Sequence, residues 1–100
     1  MMYSIFMLKG EAKSDHKLFM NYDWTMAHGG VVLSEYKTVY TGHIEPKDTV
    51  NDTLESIYTM FNLTNRPEGY RGRSMSVSDL VALEETGTFF CDHIGFKKIN

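Results

Sequence analysis

The sequence predicts an α+β domain, a small and mainly antiparallel sheet with two helices packed on one face. Three observations carry this. Leu54, Ile57, Tyr58 and Phe61 recur at helical spacing. Short runs rich in aromatic and branched residues open the chain at Tyr3 and close it near Ile99. Between two further apolar runs, Glu85-Thr86-Gly87 has the composition of a hairpin turn. At 100 residues the chain can form one modest core, so 1–100 reads as a single domain.

Element by element, Tyr3 to Leu8 is the first strand, rich in aromatic and branched residues and stopped by Lys9-Gly10. Phe19, Tyr22 and Met26 then mark a short helix from Asn21 to His28, closed by Gly29-Gly30. In "YKTVYTG", Tyr36, Thr38 and Tyr40 alternate with Lys37, Val39 and Thr41, a half-buried strand halted by Gly42. The clearest helix follows, capped by Asn51 or Asp52 with Glu55 completing a capping box, and ended by Asn62 and Pro67. From Ser76 onward both strand and helix are open, because Ser76-Val77-Ser78-Asp79 also suits a helix N-terminus. Phe96 to Ile99 forms a last short strand after Gly95.

Charge limits the function classes. The net charge is −3, and neither half of the chain is a basic arm, so bulk electrostatics gives nucleic acid no advantage. A single cysteine, Cys91, excludes an internal disulfide and suits a reducing compartment. The opening "MMYSIFML" is too short for a secretory core and its first basic residue follows it, so a cytoplasmic protein with no membrane association is expected.

The most distinctive stretch is "PEGYRGRSMSVSDLVAL", Pro67 to Leu83. All three arginines, Arg66, Arg71 and Arg73, fall in or beside it, and Tyr70 lies among them. Gly69-Tyr70-Arg71-Gly72 has the G-x-x-G form of a nucleic-acid clamp, but the loop lacks the flanking helices that clamp uses. The structural reading is a turn: Gly69 and Gly72 relax the backbone, while Ser76, Ser78 and Asp79 bond nearby amides. The functional reading makes Arg66, Tyr70, Arg71 and Arg73 a contact patch for a partner. Tyr22 and Trp24 are the other anchor candidates, since Trp, Tyr and Arg dominate interface hot spots.

Catalytic constellations are weak. Gly72-Arg73-Ser74-Met75-Ser76 lacks the last glycine of a nucleophile elbow. Cys91 and His93 on one strand face would stand about 6 to 7 Å apart, too far for the hydrogen bond that activates a thiolate. Four histidines scattered over the chain offer no metal set with Cys91. Glu84 and Glu85 sit in the expected hairpin turn. No catalytic residue, cofactor or metal is expected.

The pattern as a whole resembles the YodL-like domain family. It is carried by "FMNYDW", "HGG", "YKTVYTGHIEPKDTVNDTLESIYTMFN", and the spaced run from Pro67 through Tyr70, Gly72, Ser74-Met75-Ser76-Val77-Ser78-Asp79 to Gly95-Phe96. This sequence departs from the family pattern at Arg73, where histidine is common, and at Cys91, where tyrosine or valine is usual. The resemblance implies a bacterial domain of conjugative elements and phages, found near anti-restriction-like partners, with no enzymatic activity attached to the family. It therefore implies a non-enzymatic accessory protein that binds and blocks a host protein, such as a defence nuclease or its guide complex, in the manner of an anti-CRISPR inhibitor. The alternative is a nucleic-acid-binding module using the loop of Arg66, Arg71 and Arg73.

Overall fold

The computed structural model describes residues 1–11, 15–63, 66–70 and 72–100. Five strands, β1 (Met2–Leu8), β2 (Tyr36–His43), β3 (Leu80–Leu83), β4 (Gly87–Cys91) and β5 (Phe96–Lys98), form one sheet in the order β2-β1-β3-β4-β5. Every pairing is antiparallel. Two helices, α1 (Tyr22–Ala27) and α2 (Val50–Asn62), accompany single 3-10 turns at Asp15–Lys17 and Leu33–Glu35. The α+β class and the antiparallel sheet are those the sequence predicts.

The helices, however, do not share a face. Side chains of β1 alternate, and Tyr3, Ile5 and Met7 join Val81, Leu83 and Phe89 beneath Leu54, Ile57 and Phe61 of α2. Phe6 and Leu8 point the other way and join Leu80, Phe90 and Tyr36 beneath Tyr22 of α1. Tyr22 meets Phe90 edge-on, ring centroids 5.5 Å apart. The physical reason was in the strand composition. Phe6, Leu8, Leu80 and Phe90 would lie bare if both helices covered one side, whereas continuous apolar runs belong to strands buried on both faces.

Local chemistry fixes the ends. Asn21 caps α1 by accepting from the Trp24 amide at 2.8 Å, and the Gly30 amide closes its far end on the Thr25 carbonyl. For α2 the cap is Thr49, not Asn51 or Asp52. Its hydroxyl accepts from the Asp52 amide at 3.0 Å, and the helix begins earlier than the capping-box pattern suggests. The buried stripe is Leu54, Ile57 and Phe61, with Tyr58 half-buried at its margin. Each of those three side chains contributes about 1.5–3 kcal/mol through burial.

Two further details shape the surface. Ile5 pairs with Tyr40 but Phe6 pairs with Thr38, so Val39 is an extra residue, a β-bulge in edge strand β2. Ser76 onward is a tight turn followed by strand β3, which settles the open choice between strand and helix. No helix among the described residues is long and apolar enough to cross a membrane.

Candidate interaction surface

The described residues of the Pro67–Asp79 stretch are linked by hydrogen bonds centred on Arg73 and Asp79. Asp79 is fully buried, and its carboxylate receives both arms of the Arg73 guanidinium, at 2.6 Å on Oδ1 and 3.0 Å on Oδ2. Oδ2 also accepts from the Ser76 amide at 2.8 Å. Burial pushes the Asp79 carboxyl above its ordinary value, while the Arg73 and Ser76 hydrogen bonds pull against it. Burial alone would lower the Arg73 guanidinium, but the bond and charge of Asp79 outweigh it and hold the group above its usual value. Arg73 also donates to the Ser74 carbonyl, and its guanidinium lies 5.1 Å from the centre of the Phe19 ring.

The other turn residues are equally committed. Arg66 donates to the Gly72 carbonyl at 2.9 Å and to the Ser74 hydroxyl at 2.6 Å. Tyr70 donates from its hydroxyl to the Arg73 carbonyl at 2.6 Å and sets its ring edge-on against Phe61, 4.9 Å away. Burial raises the Tyr70 phenol. The Tyr70 hydroxyl passes over Gly72 so closely that any Cβ there would collide with it. Gly69 takes φ +86, a backbone angle few other residues adopt. Ser78 does so at φ +83, and its polar atoms hold three elements. Its Oγ accepts from the Phe19 amide, its carbonyl accepts from the Tyr36 hydroxyl, and its amide donates to the Cys91 carbonyl.

The sequence-selected residues Arg66, Tyr70, Gly69, Gly72, Arg73, Ser76, Ser78 and Asp79 are thus brought together: the Arg66 and Arg73 guanidinium groups bond within the turn, while Ser78 ties it to Phe19, Tyr36 and Cys91. Arg71 lies outside the described residues. Tyr22 and Trp24 belong to α1 instead. Tyr22 is half-buried over Phe90, its amide bonded to Asp92 Oδ1 at 3.0 Å. Trp24 is half-exposed and stacked on the His28 ring at a 3.9 Å centroid distance.

Cys91 is buried, and burial, with Asp79 next, pushes its thiol up to about 12. His93 sits in the exposed turn beyond β4 rather than on the strand, so the two do not share a strand face as their spacing suggests. Glu84 accepts from the Met2 amide. Among the described residues no group of His, Cys, Asp and Glu is placed to hold a metal ion.

Beside α1 lies an apolar cleft of about 280 Å³, walled by Tyr22, Met26, Val31, Leu33 and Ile99, with Lys98 and Asn100 at its rim. Met26 is 50% exposed, Leu33 62% and the neighbouring Val32 38%. Of the wall, only Tyr22 was flagged by sequence reasoning. The available signal was "VVL" after the glycine cap, an apolar triplet that neither a strand nor a helix absorbs. A larger, shallower groove of about 840 Å³ follows α2, where Asp48, Asp52, Glu55, Ser56 and Thr59 are mixed with Pro46, Met60 and Leu63.

The sequence profile of the YodL-like domain family matches residues 2–100. The chain belongs to the YodL-like domain family. The match covers both helices and all five strands, so the turn and the α1 cleft both lie within the YodL-like domain. No curated protein and no solved structure matches the chain.

Proposed function

We propose that this YodL-like domain acts by binding another protein, with no chemistry of its own, through the cleft beside α1. One observation carries the reading: Met26, Val32 and Leu33 are large apolar side chains left in water around a preformed cleft. Apolar surface of this kind, edged by polar groups, suits protein contact. Methionine adapts to an irregular partner, and a half-exposed Trp24 on the same helix adds an anchor. An interface of roughly 800 Å² per partner fits on a domain this size. The non-enzymatic part is supported by Cys91, whose thiol stays protonated and buried.

The partner in this reading is a host enzyme of bacterial defence, a nuclease or its guide complex, which the domain would block as an element-borne inhibitor. That part rests on the family's setting in conjugative elements and phages. The test is capture of a tagged protein's partners from a nuclease-treated bacterial lysate, run beside Met26→Asp/Leu33→Asp. The reading expects a host protein retained at near-equal stoichiometry and lost with the variant. A partner retained equally by both would move the contact off this cleft. Recovery of nucleic acid alone from a parallel lysate without nuclease would replace the reading with the nucleic-acid one, which has Arg66 and Arg73 already engaged within their turn.

A further inference from the structure

We infer that the occupant of the α1 cleft is an extended, acidic and apolar segment of the partner protein, which adds to the sheet as a sixth strand beside β5. This deepens the protein-binding reading and rests on it. The sheet has two edges, and they are not equivalent. The β2 edge is broken by the Val39 bulge, which blunts strand pairing. At the other edge, no strand among the described residues lies beyond β5.

The backbone of β5 is set for such an addition. The Asp92 amide donates to Gly95 and the Ile99 amide to Thr88, so those residue pairs face each other across the ladder. In the same register Phe96 lies opposite Cys91 and Lys98 opposite Phe89. These alternate residues turn their N–H and C=O groups away from β4, toward open space. Two residues spaced this way present the donor and acceptor set that an incoming strand takes in edge addition.

The side chains select the newcomer. Lys97 and Lys98 are both exposed, and neither joins either of the two ion pairs, Lys17–Glu35 and Arg73–Asp79, found among the described residues. The cleft lining contains no Asp or Glu side chain. An arriving strand can place its apolar side chains on the α1 face, between Met26 and Ile99, and its carboxylates on the opposite face against Lys98, with Lys97 adding positive charge on the α1 face. A second copy of this chain would instead bring Lys97 and Lys98 against their own counterparts, and like charges across a ladder repel.

The experiment is a random-peptide display selection on the intact protein, followed by amide and methyl NMR mapping with the most enriched peptide. Enriched sequences should alternate apolar with acidic residues and shift the Phe96 and Lys98 amides and the Met26 methyl. Lys97→Glu/Lys98→Glu should weaken them at least about tenfold without lowering the melting temperature, since both side chains are exposed. Peptides with no acidic bias, or ones that map away from β5, would overturn the inference. So would release by that variant of a labelled single-stranded oligonucleotide instead of a peptide. A host protein captured at full strength by Lys97→Glu/Lys98→Glu would remove strand addition and leave protein binding standing. Peptides that bind as described while the lysate yields no partner would keep strand addition and remove the host-enzyme reading.

Discussion

Arg73 grips the buried carboxylate of Asp79 with two separate nitrogens, at 2.6 and 3.0 Å. The pair anchors a turn that also binds Ser74, Ser76 and Phe19. A fork of two parallel bonds is something arginine offers and lysine does not.

Arg73→Ala should therefore destabilise the domain. Removing one partner of a buried pair costs about 3–5 kcal/mol. The Arg73 side chain is 33% exposed, so water moderates the loss here to about 2 kcal/mol. Arg73→Lys should recover only part of it. Urea denaturation of the three proteins checks this; equal midpoints would mean that the turn does not depend on the pair.

Gly72→Ala should cost about 1–3 kcal/mol, because the new methyl meets the Tyr70 hydroxyl. The same change made on Tyr70→Ala should cost much less. A double-mutant cycle by thermal melts measures the difference, and additive costs would show that Tyr70 is not what excludes a side chain at 72.

Thr49→Ala should cost about 1 kcal/mol through loss of the α2 cap, whereas Asn51→Ala should change stability little. The reverse ranking in denaturant melts would return the cap to the later position.

Stability should fall on the alkaline side. Burial pushes the Cys91 thiol from 9.0 up to about 12 and the Tyr3 phenol from 10.0 up to about 12, and it raises Tyr36 as well. Each group keeps its proton longer folded than unfolded, so its contribution is complete below the unfolded value and is lost as pH climbs toward the folded one. Melting temperatures should begin to drop near pH 9 and continue to about pH 12. In Cys91→Ala the onset should move toward pH 10, where the tyrosines take over; an unchanged onset would clear Cys91 of the effect.

Much of the fold is legible in the sequence because its signals are local. Asn21, the glycines after His28, the Leu54–Phe61 stripe and the Glu85-Thr86-Gly87 hairpin each act within a few residues of chain. The opposed helices were harder to read, since the unalternating apolar runs in β1 and β3 state that both faces are covered without saying by what. The cap of α2 went to Thr49 because the backbone turns before the acidic residues that mimic a cap. As for the site, charge and glycine drew attention to Arg66–Asp79, where the bonds turn inward. The cleft is assembled from α1, the Val31–Leu33 segment and Ile99, which are distant in sequence, and only folding makes them neighbours.

The bulge at Val39 has a bearing on stoichiometry. A sheet with two receptive edges is divalent, and strand addition could run from molecule to molecule as a growing ribbon. If strand addition at β5 is how the domain binds, then with β2 kinked at Val39 it would be monovalent. Its complexes should stop at one partner per domain, and a high local concentration of the protein would add capacity without adding length.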